Sequence, residues 1–577
     1  MCAFSDEPVP HSLSVCLCLS LSLSCRSLTQ HWTYTLDLVE NYVSIFPDKE
    51  QWLLFDSAPV PFFVSPAFVK PREDRYTQVD GSVRVYKAVS QWGEPDFPVE
   101  RQNAMLDIFK DPNFIGDPRG AGGVWQRAAD KSVFRVAPIV KLLVLGVLKF
   151  STMDPMGMGV EMEGGKPGWD DAMNGLPGLV GSGMPETYEM LRILRFVQSG
   201  VQRFNRPLSV PEELATLMNS LLSALQAWDT SVKDDRAEYV YWDASNRARE
   251  LYRGQTLATF SGVTVPLAAR QVLDMLSAMQ RKVDFGIARA LSGNNGLSPT
   301  YFYYECTDVR SPAPGKVMCN SFRVQNIPLF LEGPVRHLKV LSDPAQRKDL
   351  YDRTKASALY DAKLKMYTIC SSLRNMRQEL GRVKAFAPGW LENQSVWLHM
   401  SYKYYLELLR GGLYAQFFDE IKTGLVPFMD STVYGRSPLE AASFLVSSAF
   451  PDPKLHGSSF LARLSGSTAE FLSMWFLMMA GPTPFSLDAT GALQLTLSPV
   501  LPGWLFNVDG TAAFTFLGSV AVTYHNPSRA DSWTLGPKSC TVSYVDGHTV
   551  ETGGVISGDV PQDVRSFKVT AIDVRLR

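Results

Sequence analysis

The sequence predicts a mainly α-helical body, of the α/α-toroid kind, followed by a small all-β domain. Up to residue 484, apolar residues recur at helical spacing in several segments, and many paired helices of similar length are typical of a toroid with a pocket at one end. From residue 485 the period changes from 3.6 to 2, because Leu493, Leu495 and Leu497 alternate with polar neighbours. The change of period marks the boundary between the two parts.

Three helices of the body have explicit start signals. Ser209-Val210-Pro211-Glu212 reads as a capping box with proline in the first turn, and an apolar stripe follows it. Pro185 and Pro266 begin two more amphipathic helices. Further helices are predicted at His31–Tyr42, Leu350–Leu380, His399–Leu409, Pro438–Ala449 and Thr468–Ala480.

Long loops and short strands complete the predicted architecture. The Gly- and Pro-rich stretches Asp154–Gly183 and Ser292–Gly315 are predicted to be loops, and loops of that length suggest a function. In the tail, Thr541–Tyr544 leads into an Asp546-Gly547 turn, and Phe567–Val574 is a further strand. The predicted parts are therefore a leader over residues 1–30, a helical body over 31–484 and a β domain over 485–577.

Charge and cysteine usage exclude several classes of function. Lys and Arg number 56 against 58 Asp and Glu, without a long run of either sign, so neither nucleic acid nor an anionic membrane is an expected partner. The eight cysteines have no CxxC spacing and four of them lie in the leader, so neither a zinc site nor a disulfide scaffold is indicated. A reducing compartment fits this usage best.

The leader admits two interpretations. Ser12–Ser24 has the length and apolarity of a signal-peptide core, which would imply secretion, but acidic Asp6 and Glu7 precede it where a basic region is usual. Its Leu-Ser alternation is also what a translated dinucleotide repeat would give, so we predict that the leader is disordered or an artefact of the gene model. We therefore predict a cytoplasmic protein, with secretion as the alternative. The other apolar run, Pro138–Phe150, is too short to span a membrane and is predicted to be a buried core element.

The segment Glu161–Asn174 is the predicted site of chemistry. Cleaving a glycosidic bond requires a carboxylic acid that protonates the leaving oxygen. Asp171 is the first candidate, because the neighbouring Trp169 can stack on a sugar and lower the local polarity; Asp170 is its closest rival. The alternative is an acidic surface turn that caps helices or binds calcium.

The residues from Trp169 to Asn174, Trp-Asp-Asp-Ala-Met-Asn, resemble the Trp-Asn-Asp-Gly-Met-Asn signature of inverting glycoside phosphorylases related to cellobiose phosphorylase. In that alignment Asp171 falls on the general acid. Asp170 replaces the usual asparagine, and Ala172 replaces the usual glycine. The resemblance makes Asp171 the expected catalytic residue, with Trp169 and Asp170 as substrate-binding residues.

Two further motifs follow in the family's order. Glu392-Asn393 followed by His399 is similar to a Glu-Asn-Gly-Gly segment that ends in a phosphate-binding histidine, and Leu464–Ala469 resembles a phosphate-binding Thr-Gly-Thr-Ala stretch. By resemblance, His399, Ser465 and Gly466 hold phosphate and Glu392 contacts substrate. Taken alone, His399 would equally suit a satisfied core histidine, and Ser465 a helix N-cap.

The resemblance implies an (α/α)6 barrel followed by a jelly-roll-like β domain. It also implies inverting phosphorolysis of a β-glucan or β-gluco-oligosaccharide, closest to the β-1,3-glucan phosphorylases, which gives α-glucose 1-phosphate. Inorganic phosphate is the co-substrate, and no metal or organic cofactor is implied. Weaker candidates for substrate contacts are Glu161, Glu163, Trp32 and Tyr34, and Arg436 is a candidate for charge near phosphate.

The resemblance covers about residues 31–577, whereas family members carry an N-terminal β-sandwich and a helical linker, so a missing front is expected. The family is often dimeric through that sandwich, which makes a homodimer an alternative for a longer form. Two other functions stay open. One is an inverting hydrolase in which Glu161, Glu163 or another acid activates water; the other is an inactive carbohydrate-binding remnant.

Overall fold

Helices and short strands alternate along most of the chain. The computed structural model describes residues 30–86, 88–110, 125–437, 440, 442–462 and 466–577, and it leaves out the side chains of residues 30–33, 462 and 466. The predicted leader up to residue 29 and the predicted phosphate ligand Ser465 lie outside the described residues.

The helices longer than one turn are α1 Gln30–Ile45, α2 Val99–Phe109, α3 Pro138–Phe150, α4 Met184–Phe204, α5 Glu212–Asp229, α6 Asp235–Gln255, α7 Ala269–Ser292, α8 Glu332–Val340, α9 Pro344–Lys355, α10 Leu398–Arg410, α11 Tyr414–Gly424, α12 Gly466–Ala480 and α13 Val560–Arg565. The strands are β1 Val60–Pro61, β2 Ala67–Val69, β3 Tyr76–Val79, β4 Ser82–Val85, β5 Val89–Gln91, β6 Arg135–Val136, β7 Val160–Glu161, β8 Gly181–Gly183, β9 Leu208–Pro211, β10 Thr264–Leu267, β11 Tyr301–Arg310, β12 Met318–Asn326, β13 Tyr360–Asp361, β14 Met366–Tyr367, β15 Val396–Trp397, β16 Ala442–Leu445, β17 Ser459–Ala462, β18 Phe485–Leu487, β19 Leu493–Leu495, β20 Thr511–Phe516, β21 Val520–His525, β22 Pro537–Tyr544, β23 Thr549–Gly553 and β24 Val569–Leu576.

The predicted (α/α)6 barrel is wrong. The helices do not follow one another in a ring of pairs; small sheets and hairpins separate them, so the body is a mixture of α and β structure. The largest insertion is the sheet β12-β11-β8-β7, whose long strands β11 and β12 follow α7. All of β11 lies within the predicted loop Ser292–Gly315, so that prediction is wrong over these residues, where the aromatic run Tyr301–Tyr304 favours strand structure.

The predicted jelly-roll is also wrong. A jelly-roll packs two antiparallel sheets of four strands, whereas β20 to β24 form one five-stranded sheet in the order β20-β21-β24-β22-β23. Strands β21 and β24 are parallel, because α13 carries the chain back before β24 begins. The predicted hairpin over the Asp546-Gly547 turn is confirmed as the antiparallel pair β22 and β23.

Two of the predicted apolar segments form helices as expected, whereas one predicted helix start lies in a strand. The helix predicted at His399–Leu409 is confirmed as α10, and the apolar run Pro138–Phe150 is confirmed as the largely buried α3. The capping box is wrong, because Ser209 pairs with Pro266 in the ladder of β9 with β10, and α5 begins only at Glu212 without a side-chain cap. Backbone pairing thus uses the residues that would have capped the helix.

Two other predicted helices are broken. The helix predicted at Leu350–Leu380 ends at Lys355 with α9, and Lys365 in the left-handed region, at φ 55°, turns the chain between β13 and β14. Within the prediction Pro438–Ala449, residues Ala442–Leu445 form β16, which is held between β15 and β17. In both segments, pairing with a neighbouring strand overrides the helical spacing of the apolar residues.

Apolar side chains form two large hydrophobic clusters. One is built mainly from α3 to α7 and includes Leu143, Leu194 and Leu276. The other joins α8 to α12 with the five-stranded sheet, so that Phe417 and Val522 belong to the same cluster. Residues 485–577 therefore share a continuous core with the helices that precede them.

One disulfide was not predicted from the cysteine spacing. Cys306 of β11 and Cys319 of β12 are bonded, with their Cα atoms 5.7 Å apart. Cys370 and Cys540 are free and buried, and burial raises the pKa of both thiols. The disulfide closes the hairpin near the β-bulge of β11.

His337 is a buried histidine on α8 with structural partners. Its ring stacks on that of Tyr188 of α4 at 5.0 Å between centroids, and its Nδ1 lies 2.5 Å from the Ser298 hydroxyl oxygen. Burial lowers the pKa of His337 to about 4. The folded protein therefore keeps this ring neutral at pH values at which an unfolded chain protonates it.

We predict that His337 makes the protein less stable in mild acid. The unfolded chain binds this proton below about pH 6.5, and the folded chain binds it only below about pH 4. The stabilisation is complete above pH 6.5 and is lost as the pH falls through this window, by about 3 kcal/mol in total at about 1.4 kcal/mol per pKa unit.

Urea unfolding at pH 7 and pH 5 measures this effect. His337→Phe should lose less stability between the two values than the wild type, whereas replacing the exposed His548 by Phe should not change the difference. Equal losses in wild type and His337→Phe would show that another group is responsible.

Candidate functional site

Two tryptophans bring the first two motif segments together. The rings of Trp169 and Trp397 make an edge-to-face contact with centroids 4.7 Å apart. Trp169 lies two residues before Asp171, and Trp397, the last residue of β15, lies two residues before His399. The contact therefore places the predicted acid segment beside the predicted phosphate-binding segment.

A buried ionic network on α8 supports this contact. The indole N–H of Trp169 donates to Oε2 of Glu332. Arg336 donates from Nε to Oε1 of Glu332 at 3.2 Å and from Nη1 to Oε1 of Glu189 at 2.7 Å. Burial raises the pKa of Glu332, although the charge of Arg336 opposes it. The network fixes the plane of Trp169 relative to α8.

Asp170 is completely buried behind this tryptophan. It caps the short 3-10 helix Asp171–Met173, because its Oδ1 accepts a hydrogen bond from the N–H of Ala172 at 3.1 Å. Its Oδ2 is buried and has no hydrogen-bond partner among the described residues. Burial, followed by the charge of Glu392, raises the pKa of Asp170 well above its usual range. Burial without a counter-charge favours the neutral form of a carboxyl group, because the charged form loses the most solvation.

Asp171 begins the 3-10 helix and is exposed, so its carboxyl group faces solvent or a ligand. Glu392, from the second motif segment, lies near it. Burial raises the pKa of Glu392, and the charge of Asp171 adds to the effect. The two predicted residues thus lie on the same side of the site as the buried Asp170.

His399 lies in the first turn of α10, beside Lys403 and Glu470. Its Nε2 is 3.7 Å from Oε1 of Glu470, which exceeds hydrogen-bond distance, and this buried nitrogen has no hydrogen-bond partner among the described residues. Lys403 Nζ lies 2.6 Å from the same carboxylate oxygen. Burial lowers the pKa of His399, although Glu470 opposes the shift. Despite burial, Lys403 lowers the pKa of Glu470 to about 2.

The third motif segment is described only from Gly466 onward. Gly466 begins α12, which packs along α10 and carries Glu470 in its second turn. The N-terminal end of α12 therefore lies in the neighbourhood of His399. A helix N-terminus presents unpaired N–H groups and a partial positive charge.

Two predicted substrate ligands are held by protein partners. Glu163 lies 3.0 Å from Arg75 and 3.1 Å from Arg249, and it also contacts Arg253. Burial alone would raise the pKa of Glu163, but these guanidinium groups hold it well below its usual range. Glu161 accepts a hydrogen bond from the indole of Trp242, and burial raises its pKa.

The weaker candidates are placed as follows. Trp32 lies in α1, and its side chain is outside the described part of the chain. Tyr34, two residues further on, accepts a hydrogen bond from Lys403 at 3.4 Å. Arg436 donates to Glu440 at 2.7 Å.

Sequence reasoning missed several residues of the site. Lys403 could have been found, because it lies four residues after His399 and so shares its helix face. Glu332, Tyr301 and Glu470 carry no local signal, because they reach the site only through the fold. The hydroxyl of Tyr301 is buried without a hydrogen-bond partner among the described residues, near Asp170 and Glu332.

In the residues that the structure describes, no group of three His, Cys, Asp or Glu side chains is arranged to hold a metal ion. Within the same ranges, no helix has the length and apolarity needed to cross a bilayer.

Comparison of the sequence with protein-family models and with curated proteins finds no match.

We predict that Glu163→Gln destabilises the protein at neutral pH. The carboxylate neutralises a buried group of arginines, and breaking a buried ion pair costs about 3 kcal/mol or more. Because the folded pKa of Glu163 is depressed, its stabilisation is present above about pH 4.5 and is lost as the pH falls.

Chemical unfolding at pH 7 and pH 4 tests this assignment. The free energy of unfolding of the variant should be much lower than that of the wild type at pH 7. The difference between the two proteins should be smaller at pH 4. Glu100→Gln, at an exposed position of α2, is the matched control and should behave as wild type. A gap that stays the same at both pH values would contradict the role given to the carboxylate charge.

Proposed function

We propose that the protein cleaves a β-glucoside with inorganic phosphate and releases α-glucose 1-phosphate with inversion at the anomeric carbon. The substrate class is a β-glucan or β-gluco-oligosaccharide, most simply one with β-1,3 linkages. The observation that carries the proposal is the contact between Trp169 and Trp397, because it sets the acid segment beside the segment that contains His399.

Asp171 is the proposed general acid. Its exposed carboxyl group can reach the oxygen of a glycosidic bond, and it donates its proton to the leaving sugar. The exposed part of Trp169 offers a ring on which a pyranose can stack. Asp170 lies buried behind Trp169 and caps the 3-10 helix that begins at Asp171, so it positions the acid and does not touch the sugar.

Phosphate is the proposed nucleophile, held by His399 and the N-terminal end of α12. An oxyanion needs hydrogen-bond donors, and the unpartnered Nε2 of His399 is one when it carries the proton. Lys403 adds positive charge four residues along α10. The N–H groups that begin at Gly466 supply further donors, and Ser465 precedes them in the sequence.

The contacts favour phosphate over activated water. A hydrolase needs a free carboxylate as general base. Glu163 is surrounded by three arginines and Glu161 is engaged by Trp242, so neither of the predicted bases is free. One observation keeps the hydrolase as the second candidate: Glu392 lies near Asp171, and two neighbouring carboxyl groups are what a hydrolase requires.

Replacing each aspartate of the pair separately tests the acid. With a β-1,3-gluco-oligosaccharide and phosphate, Asp171→Asn should lower the release of glucose 1-phosphate about 10²- to 10⁴-fold. Asp170→Asn should change it by less than about tenfold, because asparagine has the shape of aspartate and its side-chain oxygen can accept the same hydrogen bond from Ala172. Equal losses in both variants, or none in Asp171→Asn, would contradict the assignment.

Omitting phosphate from the same assay distinguishes the candidate functions. A phosphorylase stops without phosphate, whereas a hydrolase releases free glucose at an unchanged rate. A carbohydrate-binding remnant binds the oligosaccharide with or without phosphate and cleaves it in neither buffer.

His399→Asn tests the nucleophile site. Loss of a hydrogen bond to a charged oxygen costs about 1.5–3 kcal/mol, so the KM for phosphate should rise about 10- to 100-fold while oligosaccharide binding stays the same. His525→Asn, on β21 where the ring pairs with Asp573, is the matched control. An unchanged KM for phosphate in His399→Asn would exclude this histidine as a ligand.

A further inference from the structure

A polar cavity of about 270 Å³ lies between α1, α8, α10 and α12. Arg336, Lys403 and Glu470 lie on its wall on the side of the proposed site. Asp37 and Asn41 of α1 and Arg410 at the end of α10 lie along its other walls. The cavity therefore extends along α10, away from His399 and Trp169.

The basic side chains of this cavity are paired with carboxylates. Lys403 lies 2.6 Å from Glu470, Arg410 lies 2.8 Å from Glu407 and Arg336 lies 2.7 Å from Glu189. Lys339 is also paired, because its Nζ lies 3.1 Å from Oδ1 of Asp37. Three of these carboxylates, those of Asp37, Glu407 and Glu470, line the cavity themselves. The wall consequently offers both signs of charge at close spacing.

Two of the cavity carboxylates, Asp37 and Glu470, remain ionised at neutral pH. Burial alone would raise the pKa of Asp37, but Lys339 and Arg192 hold it well below its usual range. Despite burial, Lys403 lowers the pKa of Glu470 to about 2. Ionised carboxylates are pure acceptors, whereas the paired ammonium and guanidinium groups are pure donors.

The two kinds of group together define the ligand chemistry. Each cation of the cavity is already paired with a carboxylate, so a phosphate or another dianion in the cavity would have to compete with these carboxylates for the same donors. A hydroxyl group donates to a carboxylate and accepts from a neighbouring cation at the same time. We propose that this cavity binds a neutral, hydroxyl-rich ligand of about the size of one sugar ring.

The volume agrees with a ligand of that size. Pockets for drug-sized molecules span about 300–1,000 Å³, so a cavity of about 270 Å³ suits a smaller molecule. Tyr34, which also lines the cavity, carries the Lys403 ammonium over its ring at 5.2 Å from the centroid, so its orientation is fixed before a ligand arrives. Asn41 and Ser473 add neutral polar groups to the wall.

This inference concerns binding and does not require the proposed reaction. Binding can be measured without turnover, so failure of one proposal does not imply failure of the other. If both hold, the shared residues Lys403 and Glu470 connect the cavity to His399, and occupancy of one site changes the electrostatics of the other.

Calorimetric titration of the full chain with D-glucose tests the proposal. We expect wild-type protein to bind glucose, and Asn41→Leu, which places an apolar branch in the cavity, to bind it at least tenfold more weakly. Ser473→Leu places an apolar branch in the same cavity from α12 and should also weaken glucose binding at least tenfold. Asn219→Leu, exposed on α5, is the matched control and should bind as wild type. Circular dichroism of each variant verifies that it is folded.

Three results would overturn the proposal. Absence of glucose binding to the wild type is the first. Equal binding by wild type and both cavity variants is the second, because it would place glucose elsewhere, for example beside Trp169. The third is that the wild type binds inorganic phosphate but not glucose, and that both cavity variants weaken the binding of phosphate.

Discussion

The candidate site depends on the contact between two tryptophan rings. Trp169 belongs to a segment of mostly irregular backbone, and Trp397 ends a two-residue strand, so neither segment would hold its position alone. The edge-to-face packing of the rings, and the hydrogen bond from Trp169 to Glu332, fasten both segments to α8. Through Arg336 and Glu189, the same network reaches α4. Two short irregular segments thereby acquire fixed positions from regular helices.

Around this contact, the environment gives neighbouring carboxyl groups different properties. Asp170 is buried without a counter-charge, which raises its pKa, whereas Glu470 is buried beside a lysine, which lowers its pKa. Glu163 is buried among arginines, and its carboxylate is paired with their guanidinium groups. Asp171 is the exposed member of these four carboxyl groups. Burial and pairing therefore separate structural carboxylates from those with chemistry to perform.

Local signals predicted much of the local structure and little of the architecture. The helix that carries His399 and the hairpin over Asp546-Gly547 could be predicted, because an apolar stripe and a turn dipeptide are read from adjacent residues. The ladder of β9 with β10 could not, since it joins residues more than fifty positions apart and uses the very residues that suggested helix caps. The barrel and the jelly-roll were implied by the resemblance, and both are wrong because strand pairing between distant segments decides the architecture.

For the candidate site, the motif residues were predictable and their partners were not. Asp171 and His399 stand in recognisable strings, and Lys403 follows from helix periodicity. Glu332 and Glu470 come from separate helices, and each reaches the site through a single carboxylate contact. The ion pairs of Glu163 could not be predicted either, because its three arginine partners lie 88, 86 and 90 positions away in the sequence.

The position of β24 has a consequence for the assembly of the sheet. Strands β20 with β21, and β22 with β23, form two hairpins from neighbouring residues, and each can pair as soon as it leaves the ribosome. Strand β24 follows all four in the sequence but lies between β21 and β22. The two hairpins consequently remain separate, with their inner edges open to association with other chains, until β24 is made and inserts between them.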